Sequence, residues 1–114
     1  MNPRDFPSLG SLRERVELLQ RVQTIDAAGG HADGFVSLGL AWARVRSASG
    51  SIVDIADARN ARVSHVITIR FRQDINPGDR LVYRSRQLEI ISAADLNGYR
   101  AYLVLKCAQT DSTG

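Results

Sequence analysis

The sequence is short of the residues that usually staple or metallate a small domain, with one cysteine, Cys107, and two histidines, His31 and His65. A lone cysteine cannot close an internal disulfide, and this set cannot assemble a Cys/His zinc site of the usual spacing. No uninterrupted apolar run approaches the roughly 20 residues that span a bilayer, which excludes a transmembrane helix. The opening stretch MNPRDFPSLGSLRER lacks the apolar core of a signal peptide, so the expectation is synthesis in the cytoplasm with no membrane partner. What is present is 114 residues, 44% hydrophobic and 24% charged. That composition describes one globular domain and not a disordered chain.

Lysine is almost absent as well. Fifteen basic residues stand against twelve acidic ones for a net charge of +3, and all but Lys106 are arginine. A guanidinium makes bidentate contacts with carboxylates and phosphates that an ammonium cannot. Arginine enrichment also follows from genome composition, and an excess of three charges does not by itself define a nucleic-acid binder.

Residues 1–11 contain Pro3, Pro7 and Gly10 without apolar periodicity and read as a flexible arm; residues 12–108 read as one domain and 109–114 as a flexible tail. In LRERVELLQRVQ, residues 12–23, Leu12, Val16, Leu19 and Val22 recur at helical spacing, and Ser11 with Glu14 fits a capping box. Val16, Leu18 and Val22 also share one face of a strand, interrupted by Gln20. The periodicity leans towards helix. TIDAAGGHADG, residues 24–34, suits a loop or the tip of a long hairpin. LAWARVR, residues 40–46, alternates as a strand does, with Leu40, Trp42, Arg44 and Arg46 on one face.

After the small residues 47–51, SIVDIADARNAR is equivocal between a short helix and a mobile loop, since Ile52, Ile55 and Arg59 fall at helical spacing. RVSHVITIRFR, residues 62–72, carries the strongest period-two pattern, with Val63, His65, Ile67, Ile69 and Phe71 on one face. Pro77-Gly78 predicts a type II turn, two strands should meet tightly around residues 84–87, and Asn97-Gly98 is the best hairpin-turn signal. The expected fold is mainly β, a small antiparallel barrel or sandwich with long loops and room for one short helix.

Catalytic, metal and cofactor chemistry find no foothold. Neither histidine lies in a recognisable catalytic motif, and Cys107 alternates with Leu103 and Leu105 as a small buried hydrophobe would. AAGGHADG lacks the lysine and the strand-to-helix setting of a phosphate-binding loop. The remaining signal is arginine alternation: Arg44 with Arg46, Arg70 with Arg72, Arg84 with Arg86, each pair pointing one way if both members lie on a strand. Such pairs suit contacts to neighbouring subunits or to nucleic acid, and equally a solvated sheet face.

In order and spacing, LRERVELLQR, the glycine-rich loop, AWARVRSASGS, SHVITIRFRQDINPGDRLVYRSRQLEIISAAD and the closing YLVLKCA resemble the phage head-tail joining proteins, also called head-closure or stopper proteins. The resemblance runs from about residue 12 to 108. It implies a small β-barrel subunit of a ring of twelve copies in the neck of a tailed phage or phage-derived particle. Such a ring sits between a portal or adaptor ring and the tail terminator or tail tube, around packaged double-stranded DNA. It implies a strand at residues 12–22, against the helical periodicity.

It also makes the stretch 47–62 a candidate channel loop, through Ser49, Gly50, Ser51, Asp54, Asp57, Arg59 and Arg62. Gly29, Gly30, His31 and Asp33 become a candidate docking loop, and the six paired arginines candidate ring or DNA contacts. The rival readings are a single-stranded nucleic-acid-binding barrel working outside any particle, with Trp42 as its stacking residue, and a tail terminator-like neck ring.

Overall fold

The computed structural model describes residues 11–25, 27–48, 52–54 and 60–110. Eight strands follow in chain order: β1 (Glu14–Ile25), β2 (His31–Ser47), β3 (Ile52–Asp54), β4 (Asn60–Arg62), β5 (His65–Arg70), β6 (Arg80–Tyr83), β7 (Arg86–Asp95) and β8 (Tyr102–Gln109). Six of them close an antiparallel barrel in the order β1-β2-β5-β8-β7-β6, with β6 returning to β1. β3 and β4 form a separate two-stranded sheet. No helix among the described residues is long and apolar enough to cross a membrane.

The barrel interior is built from period-two patterning. Val16 and Leu18, Ala43, Ile67 and Ile69, Leu81, Leu88 and Ile90, and Leu103, Leu105 and Cys107 project inwards from the six strands, and Ile75 adds a plug from the β5–β6 connection. Aliphatic and β-branched side chains of this kind fill a small barrel without a lumen. The Cys107 thiol belongs to this core, and burial pushes its pKa up to about 12. Ile90 and Ile91 are both buried because a bulge after Ile90 breaks the alternation.

Residues 12–22 run into β1, so the pairing of Val16 and Leu18 with β2 and β6 overrides the helical spacing. The expected helix or mobile loop at 51–62 meets a different outcome at its described ends. Ile52, Val53 and Asp54 pair with Arg62, Ala61 and Asn60 in β3 and β4, as β-branched residues favour, whereas residues 49–51 and 55–59 lie outside the described residues. So do residues 1–10 of the expected N-terminal arm and 111–114 of the tail.

Two expected turns fare differently. The Asn97-Gly98 connection has both residues at positive φ (59° and 74°), but it begins with a 3-10 turn over Leu96–Gly98 and spans residues 96–101. Its far end is held by the Asp95 carboxylate, which accepts the Arg100 N–H at 2.9 Å. The two strands expected to meet tightly around residues 84–87 do so through a two-residue hairpin turn, Arg84-Ser85, with φ of 50° and 67° between the paired Tyr83 and Arg86.

The type II turn forms as expected. The Asp79 N–H donates to the Asn76 carbonyl at 3.0 Å, and Gly78 takes φ 96°. An added Cβ at Gly78 would also press to 3.3 Å of an Arg21 guanidinium nitrogen.

β1 and β2 are longer than the barrel needs. β6 pairs with β1 only at residues 17–19, and β5 with β2 only at 43–47. The rest of the hairpin, residues 20–25 with 31–36, is a two-stranded arm in a molecule measuring 53 × 28 × 26 Å, while residues 37–42 of β2 lie against the barrel part of β1. A bulge where Leu18 and Leu19 face Gly39 and Ser37 bends the ribbon where it leaves the barrel, with Gly39 at φ 96° and its N–H donated to Ser37 Oγ.

Candidate interaction surfaces

The antiparallel order sorts the connections to two ends of the barrel. One end carries the excursion from Ser47 through β3 and β4 to His65, together with the Arg84-Ser85 turn. The other carries the arm, the Asn76–Asp79 turn and the 96–101 connection. The candidate channel loop and candidate docking loop therefore occupy opposite ends.

At the excursion end, Glu14 and Tyr83 join β1 to β6. The Tyr83 hydroxyl donates to Glu14 Oε2 at 2.6 Å, and Arg84 approaches the same oxygen at 3.1 Å. The tyrosine hydrogen bond, supported by Arg84, holds Glu14 below the usual carboxylate range, and the same bond raises Tyr83 above the usual phenol range. His65 stacks edge-on to Tyr83 with 5.9 Å between ring centroids, and Ser64 Oγ lies 2.9 Å from its Nδ1. Burial, with the nearby Arg86 charge, lowers the pKa of His65 and favours the neutral ring. His65 thus packs in phase with Ile67 and Ile69 on the inner side of β5.

The six paired arginines separate into three situations. Arg44 and Arg46 are exposed on the outer face of β2, opposite Thr68 and Val66, and Arg70 is exposed on the same face at the end of β5. Lys106 on β8 lies opposite Val66 too, which places it in one transverse row with Arg46. None of these four has an ion-pair partner among the described residues.

Arg72 departs from the expected pairing with Arg70. It lies beyond the end of β5, and its guanidinium grips Asp74 through two hydrogen bonds of 2.6 and 2.8 Å, which hold Asp74 below the usual carboxylate range. Arg84 and Arg86 also fail to share a strand face, because Arg84 sits in the turn, pairs with Glu14 and stacks over Tyr83.

Of the candidate channel-loop residues, Arg62 is exposed at the end of β4, and the backbone of Asp54 ends β3; Ser49, Gly50, Ser51, Asp57 and Arg59 lie outside the described residues. In the candidate docking loop, Gly29 is exposed at φ 86° and Gly30 is exposed beside it, while His31 and Asp33 lie on the backbone of β2.

Two further features adjoin these residues. Leu40 and Trp42 are exposed in phase with Arg44 and Arg46, and the Arg15 guanidinium stacks 4.7 Å from the Trp42 ring centre, its partner across β1 and β2. An open groove runs past Trp42 to Arg70, Phe71 and Arg72. The second is Asp79, only 4% exposed, whose carboxylate accepts the Arg21 N–H at 2.9 Å and the Asn76 N–H at 2.8 Å. With Arg80 stacked on Phe35 at 4.5 Å, it clamps the base of the arm to the barrel. Among the described residues, no group of three or more His, Cys, Asp or Glu side chains could hold a metal ion.

Solved structures share this architecture. A protein of Shigella flexneri 2a known in solution superposes with a TM-score of 0.69 at 25% identity, over 93% of this chain and 99% of that one. A chain in the virion of a native gene transfer agent particle gives 0.65 at 23% identity, over 90% and 94%. The protein xkdH of the phage-like element PBSX of Bacillus subtilis gives 0.56 at 7% identity, over 87% and 95%. No curated protein sequence matches the chain. The family model of the phage head completion proteins matches residues 7–110, the whole barrel with its arm and its excursion, and the chain belongs to that family of structural virion proteins.

Proposed function

We propose that the chain is a head-tail connector subunit that forms a ring in the neck of a tailed phage or phage-like particle and joins the DNA-filled head to the tail. The observation that carries this reading is the placement of two long projections, the β1–β2 arm and the 48–64 excursion, at opposite ends of one closed barrel. A subunit between two different rings needs two unlike end faces, which the different elements at the two ends supply, and a closed barrel of this kind is a rigid spacer between them.

In this reading the excursion faces the channel, and β3 and β4 give it a paired stem. Twelve copies would bring +3 per chain to roughly +36 per ring, a field large enough to act on DNA or on an acidic partner ring. The arginines of the outer β2–β5 face serve chiefly subunit contacts, where fixed orientation matters more than tight DNA binding.

Particles assembled without this chain test the role. The expected result is DNA-filled heads and free tails that do not join, with joining restored when the chain is added back. Normal joining in its absence refutes the connector role.

The rival single-stranded nucleic-acid barrel has one observation in its favour, the exposed Trp42 ring. Arg15 already occupies a position over that ring, where a base would stack. Salt-dependent oligonucleotide binding by the free chain, abolished by Trp42→Ala, would decide for that rival. A tail terminator-like ring would be told from a connector by which side of the joint the chain stays with when head and tail are separated.

A further inference from the structure

The geometry points to the β1–β2 arm as the element that clasps a second copy of this chain, laying its apolar side chains and the unpaired edge of β2 on the neighbour's basic barrel face. This inference rests on the ring reading above and names the contact that would build the ring.

Residues 31–36 of the arm and 37–42 at its base pair only with β1, so the other edge of β2 there offers main-chain donors and acceptors with no strand beside them. Natural edges of this kind are usually blunted with charge or proline. Here residues 34–42, GFVSLGLAW, contain neither, and the bulge at Gly39 is the one such device present. The exposed large apolar side chains gather on the same hairpin: Ile25 is 73% exposed, Val36 50%, Leu40 62% and Trp42 52%, and only Tyr99 among the described residues is comparably exposed elsewhere. An arm with an open edge and uncovered apolar side chains is the form of a surface that is covered in its working state.

Charge selects the occupant. Apart from Arg21 at its base, the arm and its tip carry no lysine or arginine: the formal charges of residues 20–36 are Arg21, Asp26 and Asp33, a net −1 that leaves +4 on the rest of a chain of +3. The outer barrel face displays Arg44, Arg46, Arg70 and Lys106 without ion-pair partners among the described residues. Arm against arm sets acid beside acid. Arm against barrel sets acid beside base, a head-to-tail contact between unlike patches of identical chains, and repetition of such a contact closes a ring.

The test places a photo-crosslinking amino acid at Val36 in the full chain and irradiates assembled particles. Crosslinks to residues 44–46, 66–70 or 104–106 of a second copy are expected. Crosslinks to another particle protein, crosslinks from arm to arm, or none would overturn the clasp, and the first of these would leave the connector role standing. As an independent measurement, Val36→Lys with Leu40→Lys should keep the thermal unfolding of the free chain but lower its incorporation into particles at least tenfold. Incorporation at the level of the unaltered chain would overturn the proposal.

Discussion

Each of the two Asp79 oxygens receives a main-chain N–H, one from Arg21 in β1 and one from Asn76 in its own turn. Asparagine at this position keeps one acceptor and turns an NH2 group towards the other donor, so Asp79→Asn should destabilise the chain by about 1.5–3 kcal/mol, the range for a hydrogen bond to a charged group. Urea unfolding at neutral pH measures it; a midpoint unchanged from the native chain would show the clamp to be dispensable. None of this could be read from INPGDR alone, because the Arg21 donor is 58 residues away in sequence. Leu40, Trp42, Arg44 and Arg46 were legible as one face because a strand's alternation is local. Arg72 and Arg84 were not, since both lie just beyond a strand end, where period two no longer applies.

At the scale of elements, turns separate what composition reveals from what register decides. The sequence marks Asn97-Gly98 as the hairpin turn, and the chain indeed takes positive φ there, but β7 and β8 end too far apart for a two-residue link. The two-residue link lies at Arg84-Ser85, where the flanking strand patterns mark a tight connection although the turn residues themselves do not. Ser85→Gly should therefore stabilise the chain by about 0.5 kcal/mol, the relief of a left-handed side-chain residue less the added freedom of glycine in the unfolded state. A lower melting temperature in calorimetry would contradict this. β1 teaches a related lesson. The helical spacing of Leu12, Val16, Leu19 and Val22 in and before it is real, but the short length of the segment leaves tertiary pairing to settle the outcome.

For the whole molecule, four or five short alternating segments and their turns were enough to indicate a small antiparallel barrel or sandwich, while closure through β6 and β1 depended on contacts between distant segments. The separation of the excursion from the arm follows from that closure and was invisible in any single motif. It also localises a prediction. Shortening residues 49–59 should leave the barrel's unfolding transition intact, because its core residues lie elsewhere, yet cause DNA to leak from filled heads. DNA retention at the native level in such particles would remove the gating role from the excursion.

The unlike ends of the barrel have a consequence for the order of construction. A ring made from such copies is a one-way part: like a coin, it has an obverse and a reverse, and a partner that recognises one cannot seat on the other. Installed upside down, it would present the wrong lock to each neighbour. In the proposed ring, direction along the particle axis would thus be written into each subunit before any two of them meet.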